Sequence, residues 1–526
     1  MRKILLASAA IISATSGAAF AQSGAAVSQK EAPAPSVASQ ESAFAGRGLN
    51  APVSAAGANN NNNIAAAASA GPSMIPTPGT FVIRLGGRVN VEAGAGWSSI
   101  DSLYTPGTAA SGGLTKTFAP GATIPAGFTI SSVSAAGVTG KTAVVAAVPA
   151  VGAKKNPYGF GTYMRLYPGL DAMTTNGLRY GAGTEIRMNS PGVNNGTAAL
   201  ATGGSSGQLS GDTLFVRRAF VYAAGDNWGL LRFGMADGVI GLFDGGVTTG
   251  QNWSNSGVLN GGDAQFTTPG NLAIPFYWMA LAGNEYGSNK IVYISPKLFG
   301  IEAGVSYAPS AGNLYTGCSA PASSCSTLSS SSIVSDAARY TDLYQAGLRY
   351  LNDVGPVNVR AYGVYVGSSS VSYTGAAPTG RSTAGYYDNL GVVNAGAAAT
   401  FAGFTLAGNW IGGAMNGQFG LKPAGGTNLN ATTASLQYVT GALTLGVTGA
   451  VATSQGSAAL VGQTQLGEQE ISFGGRYVVA PGLAVSADYI YQQRRQNGFN
   501  FASGAVGTDN NNIHGQAVLM GVAVNW

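Results

Sequence analysis

The stretch TFVIRLGGRVNVEAG, residues 80–94, alternates between apolar and polar side chains along nearly its whole length. The apolar parity holds Phe81, Ile83, Leu85, Val89 and Val91. The polar parity holds Thr80, Arg84, Arg88, Asn90 and Glu92, with Val82 as the one exception. Because successive side chains of a β-strand point to opposite faces, the stretch predicts a strand with one apolar face and one charged face.

The composition of the chain argues against a protein with an ordinary soluble surface. Charged residues make up 9% of the 526 residues, against about 25% in typical globular proteins. The formal charge of +5 arises from 26 basic and 21 acidic residues, and no run of Lys or Arg is long enough to follow a phosphate backbone. The sequence therefore predicts no nucleic-acid binding.

The N-terminal sequence MRKILLASAAIISATSGAAFAQ has the three parts of a secretory signal peptide. Arg2 and Lys3 precede a short apolar stretch, and an A-x-A cleavage site ends at Ala21. The apolar stretch is too short for a membrane anchor, which needs about 20 apolar residues. We therefore expect residues 1–21 to be a signal peptide that is removed after Ala21, and the protein to be exported.

Residues 22–77 consist mainly of Ala, Ser, Gln, Pro and Asn, including an asparagine run at 59–63. A segment with so few large apolar residues has little to bury. We expect it to be a disordered periplasmic leader before a folded part at 78–526. After removal of the signal peptide, no apolar run long enough for a transmembrane helix remains in the sequence.

From residue 78 to residue 526 the side chains keep a period of two, in segments that are separated alternately by short and long interruptions. The short ones have turn-forming sequences: TTNG at Thr174, GDN at Gly225, SPKLFG at Ser295, NDVGP at Asn352, FAG at Phe401, TGA at Thr440 and APG at Ala480. The long ones span approximately residues 99–156, 190–211, 237–285, 309–341, 367–388, 414–431, 451–467 and 494–512. Seven turns and eight loops imply sixteen strands.

An even number of antiparallel strands, with tight turns on one side and long loops on the other, is typical of a transmembrane β-barrel. A soluble β-sandwich also alternates, but its outer surface would need charges that this composition lacks. The sequence therefore predicts an all-β fold, a transmembrane antiparallel β-barrel of about 16 strands. In this fold the apolar parity of residues 80–94 faces outer-membrane lipid, and the charged parity faces a wet interior.

The interior of a barrel of this size is too wide for side chains to fill. We therefore expect an aqueous channel, with passive diffusion of small hydrophilic solutes and ions as its function. Aromatic residues gather at strand ends, as in YGFGTYMRLY at 158–167 and FYWM at 276–279. Aromatic girdles at the two membrane interfaces explain this placement.

The charges of the predicted barrel fall into two sets. The third long loop, residues 237–283, contains Asp237, Asp244 and Asp263 and no Lys or Arg. The arginines that parity assigns mostly to the inner wall are Arg84, Arg88, Arg165, Arg179, Arg187, Arg217, Arg232, Arg349, Arg360 and Arg476. If the third loop folds into the lumen, an acidic constriction faces a basic wall, which would orient dipolar solutes and tune ion selectivity.

Each part of this arrangement has a simpler interpretation. Any one wall arginine could form a structural ion pair with Glu92, Glu185 or Glu470. The loop acids could lie in a solvated extracellular loop instead of the lumen.

Four stretches resemble the general porins of Gram-negative outer membranes. These are LFVRRAFVYAAGDNWGLLRFG at 214–234, GLFDGG at 241–246, GGRYVVAPGLAVSADYIYQQRR at 474–495 and HGQAVLMGVAVNW at 514–526. The second resembles the start of the constricting third loop of that family, and the last ends on an aromatic residue as those proteins do. The resemblance covers residues 78–526.

The resemblance implies a sixteen-stranded homotrimer with the third loop bent inward as the eyelet. It implies that Arg217 lies on the pore wall and that Arg218 points outward. It also implies that the C-terminal strand carries an aromatic signal for the barrel assembly machinery, although Trp526 stands where the family usually has Phe. Met235 stands where the family often has arginine, and the first long loop is longer than usual.

The cysteines Cys318 and Cys325 lie seven positions apart in a Ser-, Pro- and Ala-rich loop. In an oxidising compartment this spacing predicts one local disulfide. A metal pair is the weaker interpretation, because no histidine or second cysteine pair lies near them in the sequence.

The sequence offers little for an enzyme. His514 is the one histidine, and it shares its parity with Val522, Val524 and Trp526, which places it on the outer face. No Gly-x-Ser-x-Gly motif, P-loop or zinc spacing is present in the sequence. We therefore predict no catalytic residue, no metal site and no cofactor.

Two other functions remain open. A substrate-specific channel, such as one for sugars, would have a continuous aromatic stripe in its lumen, whereas the inward tyrosines Tyr163, Tyr167 and Tyr362 are scattered. A structural or adhesive surface barrel would place its function in the long loops, and the length of the first loop keeps that interpretation open.

Overall fold

The structure is a computed structural model. It describes residues 76–99, 115–118, 128–133, 141–145, 158–189, 214–243, 289–310, 340–370, 387–416, 421–501 and 505–526. All of these belong to the second of the two units into which the chain divides, Ser39–Trp526.

The described residues are almost entirely β-strand. In chain order the strands are β1 (Phe81–Ser98), β2 (Thr115–Phe118), β3 (Phe128–Val133), β4 (Lys141–Val145), β5 (Tyr158–Met173), β6 (Arg179–Asn189), β7 (Phe215–Gly225), β8 (Gly229–Met235), β9 (Asn289–Ile294), β10 (Ile301–Ser310), β11 (Tyr340–Val354), β12 (Val357–Ser370), β13 (Gly391–Phe401), β14 (Phe404–Ala414), β15 (Leu429–Thr440), β16 (Leu443–Ser454), β17 (Leu466–Ala480), β18 (Leu483–Arg495), β19 (Phe499–Asn500), β20 (Ala505–Val506) and β21 (Asn512–Asn525). One short helix, α1 (Val239–Phe243), and one 3₁₀ turn (Ala458–Leu460) complete the set within the described ranges.

Sixteen of these strands form one closed antiparallel barrel. Strands β2, β3 and β4 form a separate three-stranded sheet within the first long loop, and β19 pairs with β20 in the last loop. Each remaining strand pairs with its neighbours in chain order, and β1 closes the ring by pairing with both β5 and β21. The predicted fold class and the predicted number of strands are confirmed.

The seven predicted tight turns lie between consecutive barrel strands. Six of them contain a glycine at positive φ, and the GDN turn is followed by one at the first residue of β8. These glycines are Gly177, Gly229, Gly300, Gly355, Gly403, Gly441 and Gly482. Glycine occupies this backbone region without the steric penalty that a Cβ atom brings. The glycines therefore allow the chain to reverse direction within a few residues at one end of the barrel.

The two faces of β1 are oriented as the alternation predicts. Phe81, Ile83 and Leu85 are 65%, 73% and 67% exposed on the outside of the barrel. Arg88 and Glu92 are buried on the inside. An apolar outer surface and a polar interior reverse the arrangement of a soluble protein, as expected for a barrel surrounded by lipid.

Strands β6, β17 and β18 follow the same rule. Tyr180, Phe473 and Val485 are exposed outside, whereas Glu185 and Ser472 are buried inside. None of the described helices has the length and apolar character that a membrane-spanning helix requires.

A β-bulge in β7 changes the predicted direction of one arginine. Arg218 is paired with Glu185, but Val216 is paired with the next residue, Ile186, so Arg217 is an extra residue in the ladder. Val216 is 48% exposed on the outside, whereas Arg218 is 6% exposed and faces the interior. The outward direction that the family resemblance implies for Arg218 is therefore wrong. The side chain of Arg217 lies outside the described residues.

The first and last barrel strands, β1 and β21, meet at Gly87 and Trp526. The Gly87 amide donates to the Trp526 carbonyl at 3.0 Å, and the Trp526 amide donates to the Gly87 carbonyl at 3.1 Å. The indole ring covers Gly87 on the outside of the barrel, and a Cβ atom at position 87 would overlap this ring. The C-terminal residue thus packs directly on the first strand.

Candidate functional site

The inner wall of the barrel carries a row of arginine positions across three neighbouring strands. Arg88 of β1 lies directly opposite Arg165 of β5, and Arg165 lies directly opposite Arg187 of β6. Directly opposed residues of an antiparallel pair point to the same face. The guanidinium of Arg88 is buried within the barrel, and the side chain of Arg187 lies outside the described residues. The register thus brings three of the predicted wall arginines together.

Other predicted wall arginines have structural partners. Arg84 forms an ion pair with Asp171 of β5, and the Tyr222 hydroxyl donates to the same carboxylate. Arg179 pairs with the exposed Asp226 at 2.8 Å. Both arginines thus form ion pairs, but with acids other than the three that the sequence suggested.

The remaining arginines of the predicted wall are distributed around the barrel. Arg232 is buried with its Cζ atom 4.3 Å from the ring centroid of Phe220. The Arg360 Nε donates to the Asn358 Oδ1 at 3.1 Å. Arg476 is buried on the inner face of β17. All three lie on strand faces that point inward, as their parity predicts.

The third long loop starts inside the barrel. After β8, Asp237 is buried. Its Oδ1 accepts a hydrogen bond from the Arg218 Nη2 at 2.9 Å, and its Oδ2 forms an ion pair with the Arg218 Nε at 2.8 Å. Arg218 also forms an ion pair with Glu185 of β6. Lys290 of β9 donates from Nζ to the Ala236 carbonyl at 2.5 Å. These contacts fix the loop entrance to the wall.

Helix α1 follows at once and is buried along its whole length. The Ile240 amide at its N-terminal end donates to the Gln345 Oε1 at 2.9 Å. At its C-terminal end, the Leu242 carbonyl accepts from the Arg349 Nη1 at 2.8 Å. Groups at helix ends have no partners within the helix, so two side chains of β11 satisfy groups at both ends of α1.

The position of Arg349 is fixed by a second partner. The Glu302 Oε2 accepts from the Arg349 Nε at 2.8 Å and from Nη2 at 2.5 Å, while the Arg349 Cζ lies 5.0 Å from the ring centroid of Phe243. Gly304 of β10 leaves space for the helix, because a Cβ atom there would lie 2.7 Å from the Phe243 Cζ and 3.0 Å from the Val239 Cγ1. Arg349 is therefore a helix anchor on the wall.

The structure thus places the start of the third loop inside the barrel and gives Asp237 a partner on the wall. Asp244 and Asp263 lie outside the described residues, and so do Cys318 and Cys325. The sequence does not identify Asp171, Lys290, Glu302 and Gln345 as the partners that hold the wall arginines and the start of the third loop. Parity shows that such residues point inward, but only the pairing register shows which groups they meet.

One sector of the wall is polar but uncharged. The Asn409 Nδ2 donates to the Tyr362 hydroxyl and to the Asn394 Oδ1, each at 2.5 Å. Tyr167, the other described inward tyrosine of the prediction, lies on β5, with β6 to β11 between it and Tyr362 on β12. The described tyrosines of that set therefore do not form one continuous stripe.

His514 is exposed on the outer face, where its ring stacks on Tyr491 at a centroid distance of 6.2 Å. Within the described ranges, no group of three or more His, Cys, Asp or Glu side chains is placed to hold a metal ion. The polar groups of the described barrel are instead concentrated on its inner wall and at the third loop.

The closed sixteen-stranded barrel, with the start of the third loop inside it, agrees with the family comparison. The model of the Gram-negative porin family matches residues 7–498. The chain belongs to the Gram-negative porin family. This porin is accordingly an outer-membrane channel protein.

Solved structures of other porins also resemble this porin. An anion-selective porin from Comamonas acidovorans has a TM-score of 0.47 and 13% sequence identity, covering 85% of this chain and 100% of its own. A mutant of the Rh. blastica porin has a TM-score of 0.41 and 12% identity over the same shares. A search among the curated proteins found no match.

Proposed function

We propose that this porin forms a water-filled channel for passive diffusion of small hydrophilic solutes and ions, constricted between its third loop and an arginine-bearing wall. The observation that carries the proposal is the placement of α1. The helix contacts β10, β11 and β12, whereas the opposed arginines lie on β1, β5 and β6. Helix α1 and the arginine row therefore lie against different strands of the wall, and we propose that the lumen passes between them.

The acidic side of the constriction belongs to Asp244 and Asp263 in this proposal. Asp244 follows directly after α1, and Asp263 lies further along the same loop. Asp237 has a different role, because its carboxylate is bound by Arg218 at the entrance of the loop. An acid that is already paired contributes little to the field that a passing ion meets.

The proposal also includes the export, the domain bounds and the assembly of the chain. Residues 1–21 direct export and are removed after Ala21, residues 22–77 form a periplasmic leader, and residues 78–526 form the barrel. Three copies assemble into a homotrimer. The C-terminal strand, ending on Trp526, carries the signal for the barrel assembly machinery; the packing of Trp526 on Gly87 supports a role in barrel closure.

The loop acids provide the test of the constriction. We expect the double variant Asp244→Asn with Asp263→Asn to shift the reversal potential in a salt gradient toward anion selectivity, because negative charge is removed where ions pass. Asp353→Asn is the matched control, since Asp353 lies exposed at the end of β11, next to the turn that leads to β12. An unchanged reversal potential in the double variant would remove the third loop from the ion path.

A further inference from the structure

The inner face of β16, β17 and β18 contains a buried carboxylate, Glu470, that has no arginine partner among the residues that the structure describes. Glu470 of β17 lies directly opposite Ala450 on one side and Gln492 on the other. It is 5% exposed, and its position on the strand directs it into the barrel.

Other buried glutamates of the wall have arginine partners, whereas Glu470 has none in the described part of the chain. Glu468 pairs with Arg494 at 2.6 Å, and Glu302 pairs with Arg349. Glu470 instead accepts one hydrogen bond from the Gln492 Nε2, at 3.0 Å, and its Oε1 has no hydrogen-bond partner. Among the described residues, no cationic side chain forms an ion pair with Glu470.

Three neutral oxygen atoms lie in the same part of the wall. Thr448 and Ser472 are directly opposite each other across β16 and β17, one step along the inner face from Glu470 and Gln492. The Thr448 Oγ1, the Ser472 Oγ and the Gln492 Oε1 are buried without hydrogen-bond partners. Cross-strand neighbours have Cβ atoms about 5 Å apart, and next-but-one residues on a strand are about 7 Å apart.

A buried carboxylate without a counter-charge is costly, and so are buried hydroxyl and amide oxygens without partners. A cation would satisfy all four groups together, because each presents an oxygen that can act as ligand or acceptor. One negative charge with neutral oxygens fits a monovalent ion better than a divalent one, since calcium sites combine several carboxylate and carbonyl oxygens. An ammonium group also fits, because it carries one positive charge and donates hydrogen bonds to oxygen acceptors.

We propose that Glu470, Gln492, Ser472 and Thr448 form a binding site for a small monovalent cation, either an alkali ion or the ammonium group of a solute. The site places a cation-binding position on strands β16 to β18, whereas the arginine row lies on β1, β5 and β6. It deepens the proposed function and rests on it, because cations reach the site through the lumen.

The test uses the full-length porin in planar bilayers, with conductance recorded over a series of KCl concentrations. In the wild type we expect K⁺ conductance to saturate. In Glu470→Gln we expect the half-saturating K⁺ concentration to rise about fivefold, the loss expected for one unit charge about 4 Å from the ion in a water-like medium. Asp353→Asn, which removes an exposed carboxylate at the end of β11, should behave as wild type.

Two further arms identify the ligands and the source of the cation. Thr448→Val with Ser472→Ala should weaken K⁺ binding while retaining Glu470, because only neutral oxygens are lost. Replacing K⁺ by methylammonium distinguishes a site for alkali ions from one that also accepts ammonium groups; binding of either cation supports the site. Glu470→Asp should recover part of the K⁺ affinity that Glu470→Gln loses.

The outcomes separate the two proposals. A folded wild-type porin without conductance would contradict the proposed function. A conducting porin in which Glu470→Gln leaves the saturation of both K⁺ and methylammonium unchanged would overturn the cation site and leave the channel proposal standing. Migration of each variant as a heat-modifiable barrel on gels confirms that loss of binding does not reflect loss of folding.

Discussion

Arg349 connects three parts of the molecule through a single side chain. It forms an ion pair with Glu302, donates to the carbonyl at the end of α1, and lies against Phe243 of the same helix. Arginine suits this position because its planar group presents several fixed donors, whereas lysine has a single charged nitrogen. The third loop is thus held by a charged group of the wall.

Replacing Arg349 tests that role. In Arg349→Gln, Glu302 remains buried without its counter-charge, so we expect the free energy of unfolding to fall by about 3 to 5 kcal/mol. We also expect noisier single-channel current, because α1 loses its C-terminal anchor. Urea unfolding of the porin in lipid vesicles measures the first effect, and bilayer recording measures the second.

The double variant Arg349→Gln with Glu302→Gln is the control for this prediction. It removes the unpaired charge of Glu302 but does not restore the contact between residue 349 and α1. We therefore expect the stability to recover while the current noise remains. Wild-type stability in the single variant would contradict the anchoring role of Arg349.

At the scale of single strands, alternation and turn glycines suffice to predict most of the fold. Phe81 and Arg88 lie on the predicted faces, and a glycine at positive φ lies in or directly after each predicted tight turn. The direction of Arg218 could not be predicted, because it follows a second arginine and a bulge shifts the alternation between Val216 and Arg218. Alternation gives a direction only while the ladder is regular.

The candidate site was less predictable than the strands. Gln345 caps a helix amide that lies 105 positions earlier in the chain, and Arg349 reaches a carbonyl 107 positions away. Such contacts depend on the order and register of all intervening strands. The sequence predicts inward charges, but it does not show that Arg84 has Asp171 as its partner or that Asp237 anchors the loop.

The contact between β1 and the C-terminus leads to a second prediction. We expect Gly87→Ala to displace the Trp526 ring and to lower the stability of the closed barrel by about 1 to 3 kcal/mol, the usual cost of overpacking. The folded fraction on heat-modifiability gels and the tryptophan fluorescence spectrum measure the effect.

Gly363→Ala is the matched control, because position 363 is also in a barrel strand but no atom lies within 4 Å of the added Cβ. Equal stability of the two alanine variants would show that packing of Trp526 on Gly87 does not contribute to closure.

At the scale of the whole molecule, the low charge content follows from the reversed arrangement of the barrel. Apolar side chains such as Ile83 and Phe473 are exposed on the outside, where lipid replaces water, while the described charges on barrel strands are mostly buried within. Because the outer surface needs no charges, 9% of charged residues is sufficient for this chain. The described charges of its strands are concentrated on the inner wall.

Single-channel recording tests the central claim, a water-filled channel, most directly. Purified folded porin added to a planar lipid bilayer should produce stepwise increases in conductance in simple salt solutions, and small sugars at low concentration should not block the current. Folded protein that inserts without conductance steps would contradict a channel. Current that is blocked by a low concentration of one sugar would contradict passive diffusion and would indicate a substrate-specific channel instead.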